Sequence, residues 1–202
     1  MWLIVGLGNP GPTYERSPHN MGFRVIDELS RRHRIDSFRE KTGGMFASGN
    51  INGTRHLLLK PMQYMNLSGH AVQRTAAFHK VEPSSIVVVH DEIDFGFGRV
   101  KIKPDGGHGG HNGLRSIIQQ LAANDFARVR VGVGRPDDAR VRVGVGRPDD
   151  DHAPDVVDFL LSDFPVSMER EVEDLTHRAA DAVEVILRDG VRSAMNQLNE
   201  NN

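Results

Sequence analysis

Residues 5–20, VGLGNPGPTYERSPHN, join a short apolar strand, Trp2 to Val5, to a loop rich in polar side chains, and the fold turns on how this join is read. Gly6, Gly8 and Gly11 spell G-x-G-x-x-G directly after the apolar run, as a dinucleotide-binding fingerprint would, and Asp27 stands near where a ribose-binding carboxylate is expected. That fingerprint requires a helix that opens inside the glycines, with its N–H groups aimed at pyrophosphate. Here Pro10, Pro12 and Pro18 intervene, so the helix is predicted to begin only after Asn20, where Met21, Val25, Ile26 and Leu29 repeat at helical spacing. The glycines then shape a tight loop rather than a cofactor cradle, and Asn20 is expected to cap the helix. His19 stands just outside that helix N-terminus, where the positive end of the dipole disfavours imidazolium and favours a neutral base.

The whole chain has 202 residues, 38% of them apolar, enough to bury a core, and no linker or composition shift divides it. One domain over 1–202 is expected. There is no cysteine, which excludes disulfides and thiolate metal sites. The N-terminal apolar run is too short for a signal-peptide core, and no stretch approaches the ~20 apolar residues of a membrane span, so a cytoplasmic protein is expected. With a net charge of −2, a nucleic-acid partner would have to be held by a local basic patch.

Further along, residues 45–51 and 54–60 read as two strands joined by Asn52-Gly53, a strong hairpin signal. A helix with Leu67, Ala71, Val72, Thr75 and Phe78 as its buried stripe follows, headed by Asn66. Ile86 to Val89 is a continuous apolar strand that ends in His90, Asp91 and Glu92, and ligand-binding groups in open α/β sheets lie beyond such strand ends. Arg99 to Lys103 alternates, placing Arg99, Lys101 and Lys103 on one face. The glycine-rich run 106–113 leads into a third helix capped by Asn112. ARVRVGVGRPDD at 127–138 recurs unchanged at 139–150. The first copy is expected to be the core strand, with Val129, Val131 and Val133 inward and Arg128 and Arg130 outward, and the second an extruded loop or edge hairpin. A long amphipathic helix from Ser167, closed by Gly190, and a short helix over 191–198 complete the chain.

A histidine and an aspartate, with no cysteine and no G-x-S-x-G elbow, point to general-base activation of water rather than an acyl-enzyme. His19 would be the base, and Asp91 would fix its tautomer and stabilise the imidazolium, a pull opposed to that of the helix end. Asn9, Asn66 and Asn112 offer uncharged donors and acceptors suited to a peptide backbone or an oxyanion, though capping explains the last two equally. His90, Asp91, Glu92, Asp94, His108 and His111 could be imagined around a metal, but no recognised ligand spacing is present and none is expected.

Five ordered motifs, VGLGNPG at 5–11, the His19-Asn20 pair, PMQYMNLSG at 61–69, HDEIDFGFGRVKIK at 90–103 and GGHGGHNGLRS at 106–116, together resemble the bacterial peptidyl-tRNA hydrolase family. The FARVRVGVGRP strand and the VVDFLLSDF segment extend the match through nearly the whole chain, leaving only the duplicated twelve residues outside it. The resemblance implies a monomeric single-domain α/β fold, a twisted mixed sheet flanked by helices. It implies an esterase that cleaves peptide from the 3′ ribose of tRNA without a cofactor. By motif position, His19 resembles the family's proton acceptor, Asp91 the residue that stabilises it, and Asn9 the asparagine that distinguishes N-blocked peptidyl-tRNA from free aminoacyl-tRNA. Tyr14, Tyr64, Asn66 and Asn112 match positions lining the substrate cleft, and Lys103 and Arg130 a basic pair that meets the 5′ phosphate of tRNA. This sequence departs from the pattern at Pro18, where arginine is usual, at Gly96, where proline is usual, and in the duplication following Arg130.

Overall fold

The computed structural model describes residues 1–136 and 153–199. Seven strands form one sheet: β1 (Leu3–Gly6), β2 (Arg39–Lys41), β3 (Gly44–Ile51), β4 (Thr54–Pro61), β5 (Ile86–Glu92), β6 (Val100–Lys103) and β7 (Ala127–Gly132). Their order across the sheet is β2-β3-β4-β1-β5-β7-β6. The central strands β4, β1, β5 and β7 run parallel, while β3, β2 and β6 are antiparallel to their neighbours. Six helices are described: α1 (Met21–His33), α2 (Ser68–His79), α3 (Asn112–Leu121), α4 (Ala153–Leu161), α5 (Glu169–Asp189) and α6 (Val191–Asn199). None of the described helices is long and apolar enough to cross a membrane.

Strand alternation divides the apolar residues into two cores. Ile4, Leu58, Val87, Val89, Val129 and Val131 face α1, α5 and α6. Leu3, Val5, Leu57, Leu59, Ile86 and Val88 face α2 and α3. Because the central strands are covered on both sides, they read in the sequence as unbroken apolar runs rather than as alternation. The chain leaves β1 toward α1 on one face and β4 toward α2 on the other, which opens a crevice at the C-terminal edge of the sheet.

The glycines of the opening motif serve packing. A Cβ on Gly6 would run into the carbonyl oxygen of Gly22, one on Gly22 into the backbone of Leu7, and one on Gly8 into the ring of Phe23. They let α1 lie against β1 and the loop after it, and α1 opens at Met21, well past Gly11.

The Asn52-Gly53 turn has positive φ at both residues, as a type I′ hairpin requires, and pairs Ile51 with Thr54. The first copy of the duplication forms β7, between β5 and β6, with Val129 and Val131 in the core. The loop or hairpin expected of the second copy lies outside the described residues.

Several expectations need correction. β5 continues through Glu92, so His90 and Asp91 are strand residues rather than loop residues, because β7 pairs with them. Arg128 points away from the valines yet is only 2% exposed, since its guanidinium donates to the carbonyls of Gly106 and Gly107. In the expected stripe of α2, Leu67 and Phe78 are 41% and 63% exposed. Leu67 belongs to a 3₁₀ turn preceding the helix, and Phe78 sits in the last turn of α2 with the Lys41 ammonium 3.8 Å above its ring. Asn20 is at the N-cap position of α1 but makes no capping bond. Asn66 precedes the N-cap of α2, which is Leu67. The N-cap of α3 is His111, with Asn112 the first helical residue.

Candidate active site

The crevice gathers side chains from four places: the loop after β1, the turn before α1, the end of β5 and the start of α3. His19 sits in a 3₁₀ turn over Pro18–Asn20, whose entry Pro18 suits because its φ is preset and its missing N–H is not needed there. Its Nδ1 lies 2.9 Å from Oδ1 of Asp91. The same oxygen lies 3.0 Å from Nε2 of His111.

The protons on these rings follow from their partners. His111 Nδ1 accepts from the amides of Gly113 and Leu114, satisfying the open end of α3, so the neutral ring carries its proton on Nε2 and donates it to Asp91. Asp91 is buried and needs donors; with His19 donating from Nδ1, both imidazoles serve one carboxylate oxygen. The Nε2 of His19 is then the unprotonated nitrogen. Burial opposes ionisation of Asp91, but the two imidazoles outweigh it and hold its pKa well below the usual carboxylate range. For His19, burial likewise opposes the charged form, and the charge and hydrogen bond of Asp91 overcome it, raising its pKa above the ordinary value.

Asn9 is 7% exposed and held on three sides. Its backbone N–H donates to Oδ1 of Asn20 at 2.8 Å, and its carbonyl accepts from Nδ2 of Asn20 at 2.9 Å. Its own Oδ1 accepts from the Met65 amide at 2.8 Å. An amide N–H can only donate, so this bond fixes which end of the Asn9 side chain is oxygen and leaves Nδ2 available. Asn20, read as a cap, is instead the bracket that holds Asn9.

Tyr64 is 62% exposed, and Asn66 and Asn112 are exposed, their side chains making no hydrogen bond to any described residue. Tyr14 is half-buried in the loop after β1, where its carbonyl accepts from the Ser17 hydroxyl. Lys103 is half-buried at the end of β6. Arg130 is not a free cation: its guanidinium meets Oε2 of Glu92 at 2.8 and 3.0 Å and lies over the ring of Phe95.

Of the six residues considered around a metal, only Asp91 and His111 come together, joined by His19; their donor atoms lie within 4.8 Å of one another. Glu92 serves Arg130, Asp94 serves Arg135, and His108 holds the amide of Gly110. His90 donates from Nδ1 to the Asp91 carbonyl and packs edge-on to His111. Burial, with His111 next, pushes its pKa down to about 3, so it stays neutral. Sequence reasoning missed His111 as a partner of Asp91 and Asn20 as a bracket. The one available signal for His111 was its place immediately before a helix, where a ring nitrogen can cap.

The chain resembles known proteins along nearly its whole length. The family signature described as Peptidyl-tRNA hydrolase matches residues 3–139 and 137–202, two stretches that meet within the tandem duplication. A peptidyl-tRNA hydrolase of Chloroflexus aurantiacus is 42% identical over 200 residues, covering 98% of this chain and 99% of the relative. One from Nocardia farcinica is 45% identical over 198 residues, covering 97% and 95%. The crystal structure of peptidyl-tRNA hydrolase from Acinetobacter baumannii superposes with a TM-score of 0.84 at 34% identity, over 98% of this chain and 94% of that one.

Proposed function

The chain belongs to the peptidyl-tRNA hydrolase family, whose members are carboxylic ester hydrolases, and we propose that His19, Asp91 and Asn9 carry its reaction by activating water, with no covalent intermediate. The observation behind this reading is the 2.9 Å contact between His19 Nδ1 and Asp91, which leaves the Nε2 lone pair of His19 to act. Nε2 takes a proton from water as its oxygen attacks the ester carbonyl carbon, and the buried carboxylate stabilises the imidazolium so formed. As the tetrahedral intermediate collapses, the same proton passes to the departing 3′ oxygen of the ribose. The products are a peptide with a free carboxylate and tRNA with a free hydroxyl.

Asn9 supplies selection. With its oxygen occupied by the Met65 amide, the side chain offers only N–H donors, which suit the carbonyl of a peptide bond or N-blocking group. A free α-ammonium has donors alone and leaves Nδ2 unsatisfied, and a mismatch of that kind discriminates strongly. Tyr14, Tyr64, Asn66 and Asn112 line the substrate cleft, and Lys103 and Arg130 meet the 5′ phosphate. The chain is proposed to act as a cytoplasmic monomer.

The test is hydrolysis of an N-acetylated aminoacyl-tRNA by wild type and His19→Ala, with unblocked aminoacyl-tRNA alongside. Loss of the base should cost roughly 10²–10⁴-fold in kcat. Equal rates for the two proteins would sink the mechanism, and no wild-type hydrolysis would favour an RNA-binding relative on the same scaffold.

A further inference from the structure

At the β2 edge, four strand spacings from β5 and its Asp91, the sheet carries a second concentration of positive charge. The register pairs Arg39 with Phe46 and Lys41 with Gly44, and Asn50 with Arg55, so these side chains share the sheet face that holds Leu57 and Leu59 against α2. Reading the same face across β2, β3 and β4 gives Arg39, Lys41, Gly44, Phe46, Ser48, Asn50, Arg55, Leu57, Leu59 and Pro61, with no acidic residue among them. Glu40 falls on the opposite face. Arg39, Lys41 and Arg55 are exposed and make no ion pair among the described residues; the Arg55 guanidinium donates to the Ser48 hydroxyl at 3.0 Å. Several other arginines, among them Arg16, Arg31, Arg32, Arg130 and Arg188, are paired with carboxylates.

Aromatic rings are interleaved with these cations. Phe46 stacks on His79 with centroids 5.0 Å apart and planes 14° apart, and Phe78 meets His79 edge-on at 4.9 Å. Phe78 is the largely exposed aromatic that the helical stripe of α2 placed in the core. A cavity of about 280 Å³ opens on β2 and β3, lined by Ser37, Arg39, Lys41, Phe46, Ala47 and Ser48, and Lys41 connects it to Phe78. An exposed ring costs free energy in water, and a row of unpaired cations around it favours a polyanion with flat apolar groups.

We propose that this β2–β3–α2 face binds single-stranded RNA, with Arg39 and Arg55 on backbone phosphates and a base stacked on Phe78 in place of the Lys41 ammonium, which lies 3.8 Å over that ring and moves to a phosphate on binding. The surface lies at the β2 edge, six strand spacings or about 29 Å from β6 at the other edge. It is therefore separate from the position of Lys103, and the inference does not depend on the catalytic reading.

The test is fluorescence anisotropy of the full chain with a labelled, unstructured oligouridylate, repeated at several salt concentrations. Wild type should bind. Phe78→Ala should weaken binding about fivefold or more, from the loss of one stacked base. Arg39→Ala combined with Lys41→Ala should weaken it further and reduce the slope of log K against log salt by about 1.4, while Lys41→Arg keeps the slope. Thermal unfolding midpoints close to wild type would show that these exposed substitutions leave the fold intact. Absence of wild-type binding, or affinities unchanged in both variants, overturns the proposal. So does an oligoglutamate that binds as well and is lost in parallel, which would assign the face to an acidic protein.

Discussion

Asp91 holds two imidazoles on one oxygen, and the two histidines differ because their other nitrogens have different partners. The Nδ1 of His111 is committed to the start of α3, whereas the Nε2 of His19 has no such partner among the described residues. The pKa shift of His19 predicts a pH profile. A base raised above 6.5 is inactive while protonated, so kcat/KM should fall on the acid side with a midpoint above 6.5. In Asp91→Asn the raising charge is gone and burial alone acts, so that midpoint should move to lower pH while the maximal rate drops by about 10²-fold or more. A midpoint that stays in place would show that Asp91 does not set it. His90 makes a stability prediction. Its folded pKa is about 3, so below 6.5 the unfolded chain takes up a proton that the folded one refuses, and stability falls as pH drops through that window. Chemical denaturation of His90→Asn between pH 6.5 and 4.5 should give a flatter dependence than wild type. His19 has the opposite sign: its pairing contributes fully below 6.5 and is lost as pH rises through its raised pKa.

Among the elements, α1 connects the site to the rest of the fold, with Asn20 bracketing Asn9 at one end and a charged network at the other. Glu28, buried, accepts from Arg31 and Arg32, and Arg32 continues to Asp181, Glu184 and the His177 carbonyl on α5. The hydrogen bond from Arg31 leads in lowering the Glu28 pKa to about 2, against the opposing effect of burial. Its unfolded value is near 4.5, so this contribution is present above that pH and disappears as pH falls toward 2. Glu28→Gln should lower stability at pH 7 by roughly 1–3 kcal/mol, with the gap to wild type closing in acid, as read from denaturant midpoints. Gly22→Ala tests the other contact of α1. A methyl group there meets the backbone of Leu7 and Val89, so the helix must shift, and a loss of about 1–3 kcal/mol is expected together with reduced activity. Retention of both would mean that α1 need not approach β1 so closely.

At the scale of the whole molecule, a chain of net charge −2 can hold RNA only through local fields, and the structure distributes its cations unevenly. Arg130 is paired with Glu92, whereas Lys103 makes no ion pair among the described residues, so of the two proposed phosphate contacts that of Lys103 is the stronger at rest. Lys103→Ala should reduce the salt slope of tRNA binding by about 0.9, and Glu92→Gln, which frees Arg130, should steepen it and tighten binding at low salt. Unchanged slopes in both would place the phosphate elsewhere. Much of this architecture was legible in the chain. Unbroken apolar runs gave the central strands, Asn52-Gly53 the hairpin, and the prolines after Gly11 the late start of α1, because sterics and periodicity act over a few residues. The grouping of His19 with Asp91 was inferred from residue types and motif order, but a one-dimensional pattern carries no distances. Tertiary packing alone decided that His111 shares Asp91, that Asn20 holds Asn9 instead of capping α1, that Arg128 is buried and Arg130 paired, and that Phe78 stays in water. Each of these depends on which strands and helices become neighbours, and a side chain's partner across the sheet is set by register rather than by its place in the sequence.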